Sequence, residues 1–322
     1  MGLPALCLRD HEGVTHREDF NVQEIKDAFQ WGSQTPLDDN NDIIFRGKEI
    51  KMVKKGTNTI SLQVTQTAFI REIDDKPVTK RSKEPVPLSA PEWQEFRSLT
   101  GSLQWLSGQT RPDVAAMTSL SNKGRETTTK ELNDLYEFVK VVKMTDTLGL
   151  SYYPVPWNKA MTLVGYSDSS WANAQGHKSQ MGILVLVSSP DCEHKKCPAS
   201  LLDWKSTRSP RVTRSTLASE ANAMDECTDR CSYANYFLTH LMYPEVEKDS
   251  MKLRSLQATD CRSLYDAVIN PAPALTEKRT IISVRSIQDY LTENQIRWVP
   301  THAMWAAVSK VAPCTLCATG GR

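Results

Sequence analysis

The order of patterned segments after residue 160 most constrains how this chain can fold. Alternating or continuous apolar residues predict strands at 161–167, 181–187, 201–206, 253–259 and 296–299. Helical spacing of apolar residues predicts helices at 215–241, 261–269, 280–292 and 303–311. The resulting order, β-β-β-α-β-α-α-β-α, predicts an α/β domain over about residues 160–312, with a mixed sheet flanked by helices.

The residues before this domain predict a separate α+β unit over 21–150. It begins with a short helix carrying Val22, Ile25 and Phe29 on one face. Strands are predicted at 43–53 and 59–64, and helices at 66–73, 93–105, 114–122 and 127–144. Thr110 or Asp113 is expected to cap the helix at 114–122. A charged, proline-containing stretch at 74–91 predicts a linker, whereas 1–20 and the 313–322 tail match no pattern.

Bulk composition narrows the functional classes. The chain has 322 residues and a formal net charge of +1, so any contact with nucleic acid must come from local clustering of basic residues. No apolar run approaches the roughly 18–20 residues needed to cross a membrane. We therefore expect no membrane partner and an intracellular location, in the cytoplasm, the nucleus or both.

The cysteines favour burial over metal binding. Cys227 and Cys231 are four residues apart on a predicted helix, as expected for small buried side chains. Cys314 and Cys317 form a single CxxC pair without a second pair at zinc-like spacing. A thiol-based function is therefore the least favoured interpretation.

Three acids are placed where a cation site could form. Asp168 and Asp260 each follow a predicted strand, and Glu220 lies in the first turns of the long predicted helix. If the two strands are parallel neighbours, their following residues emerge at one edge of the sheet. Clustered carboxylates suit Mg²⁺ or Mn²⁺, which can activate water and stabilise a leaving oxygen. Taken singly, the same acids could cap a turn, face solvent or cap the helix at 261–269.

A basic segment precedes Glu220. It contains four cations and no acid, at Lys205, Arg208, Arg211 and Arg214. In a nearly neutral chain, this segment is the best candidate for holding a phosphate backbone. An ordinary solvated loop is the alternative. Trp171 and Trp204 could stack on bases or pack in the fold, and packing is the favoured interpretation.

Several strings together resemble a known family. GYSDSSWA at 165–172, HKSQMG at 177–182, DWKS at 203–206 and the helix with Glu220 resemble the ribonuclease H domain of copia-type retrotransposon polyproteins. FRSLTGSLQWL at 96–106 and TRPD at 110–113 are similar to the stretch that closes the reverse transcriptase in that family. The resemblance covers roughly residues 20–312.

The resemblance implies a metal-dependent nuclease. Asp168, Glu220 and Asp260 would be the catalytic, metal-binding acids that cut the RNA strand of an RNA–DNA hybrid during reverse transcription. The partners would be that hybrid or another nucleic acid, and the rest of the polyprotein.

The sequence departs from the family at two places. The family's last acid falls at Ala307. His302 is a substitute proton carrier or an ordinary surface residue. The polymerase acid pair is also missing, because the Asp38–Asp39 pair after Pro36 lacks the aromatic residue and the flanking strands. Reverse transcriptase activity is therefore not expected, and two main interpretations stay open: an impaired ribonuclease H, or an inactive nucleic-acid-binding remnant.

Overall fold

The computed structural model describes residues 37, 42–55, 59–77, 84–154, 161–243, 253–291 and 294–304. Several features named above lie outside these residues: the predicted helix at 22–29, the acid pair at 38–39, Ala307 and the CxxC pair. Of the predicted helix at 303–311, only the first two residues are described. The described residues form a four-stranded and a five-stranded sheet, each accompanied by helices. The predicted α/β class, with a mixed sheet flanked by helices, is confirmed.

The first sheet has the strand order β1-β2-β3-β4, and every pairing in it is antiparallel. Its strands are β1 (Ile43–Phe45), β2 (Lys48–Lys55), β3 (Thr59–Thr65) and β4 (Leu150–Tyr152). The single strand predicted at 43–53 is wrong, because Arg46 and Gly47 adopt positive φ angles of 50° and 73° and turn the chain back on itself. The predicted pairing of the next two strands is present, and β4 was not predicted.

Four helices belong to this part and pack on one another: α1 (Thr67–Glu72), α2 (Ala90–Ser107), α3 (Ala115–Ser121) and α4 (Thr129–Met144). Helix α4 begins at a capping box in which Thr128 and Glu131 satisfy each other's backbone donors. Apolar residues at helical spacing on α2 and α4, among them Phe96, Leu103 and Leu135, form the core of this part.

The predicted capping of the helix at 114–122 is wrong. The side chain of Asp113 instead accepts hydrogen bonds from Arg111 Nη2 at 2.8 Å and Nε at 2.9 Å, and Thr110 donates to Gln66 Oε1. Arg111 is 1% exposed and also donates to the carbonyl oxygen of Thr145. Asp113 thus balances a buried charge rather than a helix end.

The second sheet has the order β7-β6-β5-β8-β9. Its strands are β5 (Thr162–Ala174), β6 (Lys178–Ser188), β7 (Ala199–Arg208), β8 (Arg254–Thr259) and β9 (Gln295–Trp298). β5, β6 and β7 are antiparallel, whereas β8 runs parallel to both β5 and β9. The element order predicted from residue 161 is therefore confirmed as far as β9.

The helices of this part are α5 (Thr216–Met242), α6 (Arg262–Ile269) and α7 (Lys278–Tyr290). Helix α5 packs on β5 and β6, where Cys227 and Cys231 are fully buried, as predicted, beside Leu163 and Ile183. The two parts of the chain meet at β7, where Trp204 Nε1 donates to the carbonyl oxygen of Ser107 at 2.7 Å. Among the described helices, none has the length and apolar character required to cross a bilayer.

Candidate metal-binding site

Asp168 does not lie at the end of its strand, contrary to the prediction. β5 continues to Ala174 because it forms a long antiparallel pair with β6, in which Asp168 lies opposite Gly182. The parallel pairing with β8 ends earlier, at Tyr166 opposite Ala258. Asp168 therefore lies just beyond the parallel part of the sheet, at the level where β8 finishes.

Glu220 is brought to the same place by the start of α5. The hydroxyl of Ser215 caps this helix by accepting a hydrogen bond from the backbone N–H of Ala218 at 3.1 Å. Glu220 then lies in the second turn, and the hydroxyls of Ser169 and Ser219 form a buried hydrogen bond between strand and helix. Each serine is the chain neighbour of one acid, so this bond holds Asp168 and Glu220 together.

Asp260 follows β8 directly, as predicted. The N-cap residue of α6 is Cys261, which makes no side-chain capping bond, so the alternative that Asp260 caps this helix is wrong. The backbone carbonyl oxygen of Asp260 accepts a hydrogen bond from Trp298 Nε1 at 3.1 Å. The short loop after β8 is thereby tied to the end of β9.

The three acids form one cluster in the described structure. Carboxylate oxygens of Asp168, Glu220 and Asp260 all lie within 4.8 Å of one another. Asp168 is 1% exposed and Glu220 4% exposed, whereas Asp260 is partly exposed. Three negative charges this close repel strongly where water is scarce, so a neutralising cation would stabilise the arrangement.

The donor set fits a hard divalent cation. Oxygens bound to one Mg²⁺ at about 2.1 Å are at most about 4.2 Å apart, so an edge of 4.8 Å needs only a small side-chain adjustment. No soft donor belongs to the group, which favours Mg²⁺ or Mn²⁺ over zinc.

The cluster also acts on its neighbour Cys261. Burial raises the pKa of the Cys261 thiol, and the negative charges of Glu220 and Asp260 raise it further. Both effects favour the protonated thiol over the thiolate.

The basic segment is divided by the fold. Lys205 forms an ion pair with Glu226 of α5, and Arg208 Nη1 donates to Gln175 Oε1 at 3.3 Å. Arg211 and Arg214 are exposed and form no ion pair with any described residue. Their loop leads directly into α5 and Glu220, so these two arginines are the better placed for a phosphate backbone.

The structure also describes His302 and Trp171, two residues for which the sequence left alternative roles open. His302 is exposed on a short turn after β9, as an ordinary surface residue would be. Trp171 is half-exposed rather than packed away, and its Nε1 donates to the carbonyl oxygen of Thr213 at 3.1 Å. Trp298 was not singled out from the sequence, because only the β8–β9 pairing brings it beside Asp260.

The fold and its carboxylates thus define a mixed α/β protein with an acidic cluster suited to divalent cations. No protein-family model and no curated protein sequence matches the chain.

Solved structures show distant likeness. The N-terminal RNase H domain of a Mycobacterium tuberculosis protein is 12% identical over 46% of this chain and 89% of that chain, with a TM-score of 0.32. RNase H1 from Halobacterium salinarum is 11% identical over 45% of this chain and 90% of that chain, with a TM-score of 0.30. A foamy viral protease-reverse transcriptase bound to double-stranded DNA is 11% identical over 81% of this chain and 38% of that chain, with a TM-score of 0.37. All three TM-scores lie below 0.5, too low for any of these proteins to define what this chain does.

Proposed function

We propose that the chain is a ribonuclease H-like protein that binds RNA–DNA hybrids and cleaves the RNA strand with a divalent cation. The observation that carries this proposal is the meeting of Asp168, Glu220 and Asp260, three acids from separate segments, within 4.8 Å. Their order along the chain and the strings around them resemble those of copia-type polyproteins.

The burial of the three acids suggests a different role for each in binding the cation and the substrate. Asp168 and Glu220, held from β5 and α5, would hold Mg²⁺ or Mn²⁺ from the interior side. Asp260 is partly exposed and would face the approaching phosphodiester. A bound divalent cation supplies positive charge that activates water and stabilises the leaving oxygen. The exposed Arg211 and Arg214 would hold the phosphate backbone beside the site.

A second candidate is an inactive nucleic-acid-binding remnant, and the residue that favours it is Ala307. The resemblance places the family's fourth acid at this position, and alanine offers no ligand oxygen. The remaining three carboxylates can still bind a cation, since Mg²⁺ in proteins commonly keeps several waters. The two candidates therefore differ in turnover rather than in nucleic-acid binding.

The test is cleavage of an end-labelled RNA–DNA hybrid in Mg²⁺. The native chain would be compared with Asp168→Asn, with Ala307→Asp, and with Asp134→Asn as a surface control in an exposed ion pair with Lys130. We expect cleavage by the native chain and the surface control, none by Asp168→Asn, and faster cleavage by Ala307→Asp. Cleavage that Asp168→Asn leaves intact would contradict the proposed site. Binding without cleavage by the native chain, with rescue by Ala307→Asp, would support the inactive remnant.

A further inference from the structure

Two half-exposed tryptophans lie close to acids of the cluster, one along the chain and one across the sheet. Trp171 is 48% exposed and follows Asp168 by three residues on β5. Trp298 is 43% exposed and pairs across β8–β9 with Thr259, the residue before Asp260. Burying a tryptophan side chain adds substantially to the free energy of folding. Two rings that stay half-exposed near one site therefore give up part of that stabilisation.

Each ring is held in place by its indole N–H rather than by full burial. Trp171 Nε1 donates to the carbonyl oxygen of Thr213, and Trp298 Nε1 donates to that of Asp260, both at 3.1 Å. Such a bond fixes one edge of an indole and does not itself cover the faces of the ring. By contrast, Trp204 uses the same bond to join the two parts of the chain at β7.

An arginine lies over the Trp298 ring, and another follows the residue that binds Trp171. The Arg262 guanidinium carbon lies 5.9 Å from the Trp298 ring centroid and 5.3 Å from that of Tyr265, within the range of a cation–π contact. Arg262 also pairs with Asp266, but both side chains are more than half exposed, so this pair is weak. On the other side, the exposed Arg214 directly follows Thr213, which holds Trp171.

We propose that Trp171 and Trp298 are stacking platforms for the nucleotides on either side of the phosphodiester that faces the carboxylates. Aromatic faces stack on bases of any sequence, and the neighbouring arginines meet the adjoining phosphates. This assignment deepens the proposed function and rests on its claim that nucleic acid occupies the site.

The assignment also selects among substrates. A base inside a continuous duplex is covered on both faces by its neighbours, whereas a terminal or unpaired base offers one face to a ring. Hybrids that carry an unpaired nucleotide or a strand end at the site should therefore bind more tightly than uninterrupted hybrids of the same length.

The experiment measures binding separately from cleavage. The full chain carrying Asp168→Asn would be titrated against a fluorescent RNA–DNA hybrid with a two-nucleotide RNA overhang, and against its blunt counterpart, by anisotropy. The variants are Trp171→Leu, Trp298→Leu and, as a matched control, Trp105→Leu, whose ring on α2 is also 48% exposed but belongs to another part of the chain. Circular dichroism would confirm that each variant is folded.

We expect each site variant to bind the overhang hybrid about tenfold more weakly, because leucine offers no aromatic face on which a base can stack. The control should bind as the parent does, and Trp298→Phe, which keeps a ring but loses the indole N–H, should retain most of the affinity. Less than a twofold loss in both leucine variants, or an equal loss in the control, would overturn the proposal. If Trp298→Phe binds as poorly as Trp298→Leu, the hydrogen bond to Asp260 matters rather than the ring, which overturns the assignment for Trp298.

The two proposals fail in different ways. If the native chain cleaves the hybrid and the tryptophan variants bind it normally, the nuclease function stands and the stacking platforms are wrong. If the native chain does not cleave but the leucine variants lose binding, the platforms stand and the chain is a binding protein. Tryptophan fluorescence tests whether a disturbed fold accounts for a loss of affinity. Quenching of tryptophan fluorescence by the hybrid, present in Trp105→Leu and lost in the Trp171→Phe/Trp298→Phe pair, excludes that explanation.

Discussion

Gly165 lies on β5, three residues before Asp168, in a space that admits no side chain. A Cβ atom at this position would lie 2.3 Å from Gln257 Oε1, 2.8 Å from Cys227 Sγ and 2.9 Å from Cys231 Sγ. The three neighbours are each fully buried, so none can move into solvent. Gly165→Ala therefore forces the contact between β5, β8 and α5 to open.

Two opposing effects determine how far Gly165→Ala changes the free energy of unfolding. Adding a methyl group to a well-packed core costs about 1–3 kcal/mol, and the smaller entropy of the unfolded chain returns about 0.4–1 kcal/mol. We expect Gly165→Ala to lower the free energy of unfolding by about 1–2 kcal/mol. Gly101→Ala is the matched control, because Gly101 lies inside α2 with nothing within 4 Å of its added Cβ, and should raise stability by about 0.5–1 kcal/mol.

Urea unfolding followed by circular dichroism measures both changes. The close approach to Cys227 also predicts coupling: Gly165→Ala combined with Cys227→Ala should be less destabilised than the sum of the single variants by at least about 0.5 kcal/mol. The reasoning is refuted if both alanine substitutions shift stability in the same direction, or if the double variant is simply additive.

Three further outcomes are expected. Asp113→Asn should destabilise the chain by about 3–5 kcal/mol in urea unfolding, because the Arg111 charge is left buried without its counter-charge. Burial acts to raise the pKa of Glu131, but hydrogen bonds from Lys123 and Thr128 outweigh it and lower the pKa to about 2. Since the folded pKa is the lower one, this stabilisation is present above the ordinary carboxyl range and is lost as pH falls toward 2; Glu131→Gln should flatten the decline in urea midpoint between pH 5 and pH 3. Finally, millimolar Mg²⁺ should raise the melting temperature through the three carboxylates, and substituting any one of them by its amide should reduce this shift.

The element pattern could be predicted from the sequence wherever it depends on local periodicity. Helix α5 and the buried strand β6 were recognised because their apolar spacing is regular and their length is sufficient. The capping box before α4 is equally local, since Thr128 and Glu131 are only three residues apart. The three acids were identified because each follows or begins such an element.

The misjudged elements depend on pairing with distant segments. β5 extends past Asp168 only because β6 continues beside it, and β4 exists only because β3 offers a free edge. Asp113 resembles a helix cap in the sequence, but in the fold it binds the buried Arg111. Arg111 is also held by the carbonyl oxygen of Thr145, 34 residues further along the chain.

The sequence alone determined which residues carry charge, the order of elements from β5 to β9, and that three acids follow one another in this order. Only the tertiary structure decided that these acids meet within 4.8 Å, and that Trp298 lies beside Asp260. The physical reason is that periodicity and capping act between residues a few positions apart. Proximity across a sheet depends instead on strand register and on how α5 packs, which are set by the whole core at once.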